Sequence, residues 1–488
     1  MSSLPLMSAY ELSRLIKNGE LSVREVCENY IDRARRLDGS LHAFNTLCPE
    51  TALADADRIQ KQISDAELDS PLAGVPVSVK DNLCTSGVLT TCSSKMLADY
   101  IPPYDAFAVK KLRENGMPIL GKTNMDEFAM GSTTETSCTG AVKNPWNTAK
   151  TAGGSSGGSA ACVAAMLSPV SLGTDTGGSI RQPSSFCGVT GLKPTYGAVS
   201  RYGLIAFASS LDTVGTIGRD AVDCAALFSI ICGHDKKDCT SAKNFRFDFN
   251  KAVSKKTEKK RIGIPEEYLT GNISPEIKSA VLNAAKILSE NGMEVDTFSF
   301  PVSDYAVSAY YIISSAEASS NLARYDGIRY GFHADSDSID SLYIRTRSEG
   351  FGAEAKRRIL LGNFVLSKGY YDAYYKKAVR AKQIIADKLE EVFSRFDVIL
   401  APVYPRTAPD LGENLSPAEL YTADVYTVTA NLAGLPALAL PCGFDGEGIP
   451  LGVQLIGRRF SEAGLFNLGR GFQLITDYHK RIPEGGRP

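Results

Sequence analysis

Three separated segments carry residue types suited to acyl transfer. Gly74-Val-Pro-Val-Ser-Val-Lys80 ends an alternating apolar run on a lysine, and two Gly/Ser loops follow: Thr151-Ala-Gly-Gly-Ser155-Ser-Gly-Gly-Ser-Ala160 and Leu172-Gly-Thr-Asp-Thr-Gly-Gly-Ser179-Ile-Arg-Gln-Pro183. A serine hydroxyl is a weak nucleophile until a base takes its proton, and a lysine is that base only as the neutral amine. Free lysine titrates at about 10.4, so Lys80 has to be desolvated, or set beside positive potential, to hold the amine at working pH. A strand end pointing into the core does this. Ser155 then relays the proton between Lys80 and Ser179, while the successive backbone N–H groups of Thr176, Gly177, Gly178 and Ser179 face the developing oxyanion. Glycines at that point leave room for a substrate carbonyl.

Other patterns compete with this one. Gly116-Met-Pro-Ile-Leu-Gly121-Lys122-Thr123 matches GxxxxGK[ST], the basis of a rival reading as a nucleotide-binding module. That motif needs a loop between strand and helix, whereas Gly116 ends a helix and Pro118-Ile-Leu120 reads as the strand itself. Gly153-Gly-Ser155-Ser-Gly157 matches the GxSxG elbow, which needs a later histidine. Of the four histidines, His42 precedes it, and His234, His333 and His479 follow in polar, surface-like surroundings. Cys232, His234 and Cys239 match no common metal spacing, so no metal site is expected.

The elements that must position these residues are legible around them. Ser8-Ala-Tyr-Glu11 and Ser22-Val-Arg-Glu25 read as capping boxes opening two amphipathic helices over residues 8–38. Val75, Val77 and Val79 alternate as a strand, residues 106–113 read as a helix stopped by Asn115-Gly116, and a second strand follows, giving a βαβ unit. Residues 159–167 read as a helix buried on all sides, leading to a strand at 171–173. The same βαβ logic recurs after Arg261, through Ser274-Pro275, the Asn291-Gly292 stop and Met293-Glu-Val295. Residues 370–393 read as a long helix and Val398-Ile-Leu-Ala401 as a buried strand. The basic stretch 251–261 reads as an exposed connection and the best candidate break inside the chain.

Composition narrows the function classes. The 488 residues are 43% hydrophobic and 22% charged, which excludes disordered, fibrous and membrane classes. Lys and Arg number 53 against 55 Asp and Glu, a net charge of −2, so no overall basic field exists to hold nucleic acid. The 11 dispersed cysteines form no disulfide framework, and no leader or membrane span is expected, so the cytoplasm is the default location.

Lys80, the Gly-Gly-Ser-Ser-Gly-Gly-Ser run and Gly-Thr-Asp-Thr-Gly-Gly-Ser-Ile-Arg resemble, in order and spacing, the amidase signature family. Within it the chain is most similar to the glutaminase branch that serves tRNA-dependent amidotransferases, through Lys122-Thr-Asn-Met-Asp-Glu-Phe-Ala-Met-Gly131, residues 196–203, 347–352, 356–359 and 369–375. The resemblance implies an α/β fold with a large mixed, mostly parallel sheet covered by helices on both faces, and a single domain over residues 1–488. It implies a Ser-cisSer-Lys triad of Ser179, Ser155 and Lys80, with Tyr310, Arg358 and Asp424 around the head of a glutamine substrate. An arginine grips an α-carboxylate and an aspartate accepts from an α-ammonium; the adjacent Arg357 is the alternative to Arg358. The implied reaction is hydrolysis of L-glutamine, its ammonia converting Glu-tRNA(Gln) to Gln-tRNA(Gln), or Asp-tRNA(Asn) to Asn-tRNA(Asn). The implied partners are the B and C subunits of such an amidotransferase, a heterotrimer in which the first uses ATP and Mg²⁺ and holds the misacylated tRNA, and the second, a small one, braces the assembly. This chain itself then needs no cofactor. The alternative within the family is a stand-alone hydrolase of small amides.

Overall fold

The computed structural model describes residues 4–271, 273–413 and 416–484. Its strands are β1 (Phe44–Leu47), β2 (Val77–Lys80), β3 (Ile119–Thr123), the hairpin β4 (Lys143–Asn144) and β5 (Asn147–Thr151), β6 (Val170–Asp175), β7 (Thr190–Lys193) and β8 (Thr213–Gly218). They continue with β9 (Arg261–Pro265), β10 (Glu294–Phe298), β11 (Val398–Pro402), β12 (Ala437–Phe444) and β13 (Pro450–Gly457). All except β4 and β5 join one 11-stranded sheet in the order β1-β3-β2-β6-β8-β7-β12-β13-β11-β9-β10.

Helical crossovers make their flanking strands parallel. The helix Phe107–Glu114 joins β2 to β3, and Pro275–Glu290 joins β9 to β10; both pairs are parallel. β6 and β7, joined by the helix Arg181–Cys187, also run the same way, but β8 inserts antiparallel between them. The sheet is therefore mixed: β3-β2-β6 and β11-β9-β10 are parallel runs, the pairs between them are antiparallel, and β1 closes one edge antiparallel to β3. β12 and β13 form an antiparallel hairpin between β7 and β11.

The core lies on both faces because successive strand residues point opposite ways. Leu400, Val453 and Leu455 pack into one cluster with the helices Val23–Leu41, Ala221–Ile231 and Glu462–Ile475. Their neighbours Ile399, Ala401 and Ile456 pack into the other with Ala306–Asn321 and Lys376–Arg395. Ser8 and Ser22 cap the first two helices by accepting from Glu11 N–H and Glu25 N–H. At the connection 251–261 Asn467 Nδ2 donates to the carbonyls of Lys251, Ser254 and Lys256, and β9 continues the sheet beyond it. Among the described residues no helix is long and apolar enough to cross a membrane.

Candidate active site

Lys80 is the last residue of β2, with β3 and β6 on either side, and is fully buried. Its Nζ stands 2.8 Å from Ser155 Oγ, 2.9 Å from Ser156 Oγ and 3.4 Å from the Thr174 carbonyl. Burial is the main influence on the amine and lowers it to about 7, against the opposing charges of Asp126 and Asp175. This is the desolvated lysine that a neutral base requires.

The first Gly/Ser loop enters from β5 and leads into the buried helix Gly157–Ala164. The Gly154–Ser155 peptide is cis. Gly154 N–H donates to Gln182 Oε1 at 2.8 Å, and a Cβ at Gly154 would run into Asp126 Oδ2, so no side chain fits there. Ser156 Oγ also donates to the Thr174 carbonyl at 3.1 Å, which ties this loop to the end of β6.

The second loop follows β6 and carries Ser179, which is 8% exposed and lines the cleft. Asp175 organises it, its Oδ1 accepting from Gly178 N–H at 2.9 Å and its Oδ2 from Ile180 N–H at 3.1 Å. Arg181 and Asn431 complete the coordination, with Arg181 Nη2 3.1 Å and Asn431 Nδ2 2.8 Å from Oδ1. Burial alone would raise Asp175, but the Arg181 guanidinium holds it well below the usual carboxylate range. Thr427 Oγ1 donates to the Gly177 carbonyl at 2.6 Å, and a Cβ at Gly177 would meet the Tyr310 hydroxyl at 2.5 Å.

Two details depart from the expected arrangement. The Gly178 N–H is taken by Asp175, so the amides of this loop left without a partner among the described residues are those of Thr176, Gly177 and Ser179. Among the described residues no hydrogen bond joins the Ser155 and Ser179 hydroxyls; the loops are pinned instead by Ser156 N–H donating to the Ser179 carbonyl at 3.1 Å. Catalytic hydrogen bonds commonly tighten only when substrate is bound.

Ser179 opens into a cleft of about 700 Å³ that Tyr310, Arg358 and Asp424 also line. Arg358 is buried, donates from Nε to Glu354 Oε1 at 2.6 Å, and lies 4.4 Å from the Tyr311 ring centre and 4.9 Å from that of Tyr421. Its Nη1 is buried with no hydrogen-bond partner among the described residues. Arg357 also lines the cleft, but it is exposed and pairs with Glu354. Asp424 accepts from the Tyr311 hydroxyl at 2.6 Å, and burial raises it to about 7 in spite of that bond and of Arg358. Beside a serine the cleft therefore holds the open Nη1 of Arg358 and the Asp424 carboxyl, while Glu354 is taken up by its arginine pairs.

Sequence reasoning did not single out Ser156, Gln182, Glu354, Tyr311, Tyr421 or Thr427. The Ser155-Ser156 pair and the Asp175–Arg181 spacing lay inside quoted motifs and were available signals; the other contacts depend on tertiary folding. The GxxxxGK[ST] segment is not a phosphate loop. Lys122 is buried within β3, donates at 2.7 Å to both the Leu83 carbonyl and Thr90 Oγ1, and lies 3.6 Å from Asp81. Among the described residues no histidine lines the cleft, and His234 instead shares a 2.9 Å hydrogen bond with Ser241.

Residues 25–466 match the family described as Amidase. The chain is 52% identical over 469 residues to the A subunit of glutamyl-tRNA(Gln) amidotransferase from Agathobacter rectalis, covering 96% of this chain and 93% of that protein. It is 49% identical over 483 residues to the protein of the same name from Thiobacillus denitrificans, covering 99% of each. Among solved structures, the A subunit of glutamyl-tRNA(Gln) amidotransferase from Thermotoga maritima superposes with a TM-score of 0.79 at 37% identity, over 99% of this chain and 97% of that one. Peptide amidase from Stenotrophomonas maltophilia gives 0.81 at 27% identity, over 98% of each.

Proposed function

The chain belongs to the amidase family, and on that premise we propose that it is the glutaminase subunit of a tRNA-dependent amidotransferase. Ser179 is the nucleophile, Ser155 the proton relay and Lys80 the general base. Ser179 Oγ attacks the side-chain amide carbon of L-glutamine as its proton passes through Ser155 to the neutral Lys80 amine. The oxyanion rests on the N–H groups of Thr176, Gly177 and Ser179. The proton returns to the leaving nitrogen, the C–N bond breaks, and ammonia departs from a glutamyl ester on Ser179. Water, deprotonated by the same base, then cleaves the ester to glutamate and restores the serine.

The observation that carries this reading is the pairing of Arg358 and Asp424 in the cleft of Ser179. The unpartnered Arg358 Nη1 suits an α-carboxylate and Asp424 an α-ammonium, so the site reads a free amino acid rather than a simple amide. Tyr310 lies against Gly177 and packs the substrate between the two ends. The ammonia is consumed at a separate partner, the B subunit, which uses ATP and Mg²⁺ to amidate Glu-tRNA(Gln) or Asp-tRNA(Asn), and a small C subunit holds the cytoplasmic heterotrimer together. The near-neutral charge supports that division, since this chain then does not hold tRNA alone.

The test is ammonia release from L-glutamine and from a panel of aryl and small amides, by the chain alone and with the candidate B and C subunits, ATP and glutamyl-tRNA. Glutamine hydrolysis that rises with the partners supports the reading. Efficient cleavage of other amides with glutamine ignored supports a stand-alone amidase instead.

A further inference from the structure

One buried carboxylate beside the base has no part in the chemistry above. Asp126 follows β3 and is fully buried. Its hydrogen-bond donors are neutral: Thr136 Oγ1 donates to Oδ1 at 2.8 Å and Thr134 N–H to Oδ2 at 3.0 Å. Thr134 Oγ1 in turn donates to the Gly153 carbonyl at 2.6 Å. The carboxylate also presses directly on the first Gly/Ser loop, since the space a Cβ would need at Gly154 is taken by Asp126 Oδ2. Gly154 is bonded to Ser155, whose Oγ is 2.8 Å from Lys80 Nζ.

We propose that Asp126 is a positioning residue for the general base, fixing the Gly154–Ser155 segment through the 131–136 loop and setting a carboxylate against it. The inference rests on Lys80 being the base of the Ser179 reaction. Burial drives the lysine towards the neutral form, and a nearby carboxylate favours the ammonium. Of the groups that face Lys80, Asp126 acts most strongly, ahead of Asp175, the Cys92 thiol and Asp212. Asp126 itself is raised to about 6, chiefly by burial, and so is ionised where Lys80 titrates. Without that charge the amine would be a weaker base, less well matched to neutral pH.

The experiment measures the acid limb of the kcat profile for glutamine hydrolysis at saturating glutamine, which follows Lys80 apart from the effect of Asp424 on KM, using the full chain with its partner subunits. Three variants are compared: Asp126→Asn, Thr136→Val and Gln182→Ala. Asn keeps the shape and removes the charge, so its limb moves to lower pH by about one unit. Thr136→Val withdraws a donor that favours ionised Asp126, so its limb moves the same way by less. Gln182→Ala loosens the same Gly154 segment without changing charge, so its rate falls while its limb stays. A limb unmoved in Asp126→Asn, or moved equally in Gln182→Ala, overturns the proposal. If Asp126→Asn does not fold, an unmoved limb in Thr136→Val overturns it. If the unmutated chain cleaves a simple amide and not glutamine, the substrate reading falls, and the same profiles are taken with that amide.

Discussion

Lys80 Nζ stands 2.8 Å from Ser155 Oγ, and both residues are fully buried. The pair joins a strand end to a glycine loop, and its chemistry depends on the amine being uncharged. Lys80 is lowered to about 7, so the ammonium form accumulates as pH falls through 7 and the neutral base is regained above it. The kcat of glutamine hydrolysis is expected to fall on the acid side of about pH 7, and Lys80→Met is expected to lose about 10³-fold or more at every pH. Steady-state ammonia release against pH checks both.

Asp424 titrates in the same range for another reason. Burial raises it to about 7, so below that pH it is increasingly neutral and no longer offers a charge to the substrate ammonium. KM for glutamine is expected to rise as pH falls through 7, separately from the fall in kcat. In Asp424→Asn, KM is expected to be high and nearly independent of pH over this range.

Arg357 and Arg358 are neighbours in sequence with opposite settings. Arg358→Lys removes the open Nη1 donor and the stacking on Tyr311, and KM for glutamine is expected to rise about 10- to 100-fold. Arg357→Ala is expected to change KM by less than about threefold, because an exposed ion pair is worth little. Kinetics of the two variants side by side make the measurement.

Asp175 and Arg181 form a fully buried ion pair that shapes the Ser179 loop. Asp175→Ala strands the guanidinium and is expected to cost about 3–5 kcal/mol of stability, with loss of activity. Asp175→Ala combined with Arg181→Met is expected to regain much of the stability and none of the activity, as read by thermal unfolding and ammonia release.

Much of this architecture was legible because it is local. The caps at Ser8, Ser22 and Ser274 and the βαβ units over residues 77–123 and 261–298 follow from side chains that act within one or two turns of their own backbone. The insertion of β8 between β6 and β7 was not legible, since the choice of sheet neighbour is made by packing and leaves no periodic trace in the strand. Lys80, Ser155 and Ser179 stood out as candidates through glycine-rich motifs that ordinary linkers do not repeat around a buried helix. The distinction between Arg357 and Arg358 did not, because it is burial on the folded helix that separates adjacent residues. Gly178 failed as an oxyanion donor for a similar reason: Asp175, three residues earlier, takes its N–H once the loop has closed.

The central claim is that Ser179 attacks the glutamine amide. The most direct measurement is acid quenching of the chain during turnover of L-glutamine with its partner subunits, followed by peptide mass spectrometry. A glutamyl ester on Ser179 is expected, with adduct and ammonia release both absent in Ser179→Ala. An adduct on another residue, or undiminished ammonia release by Ser179→Ala, contradicts it.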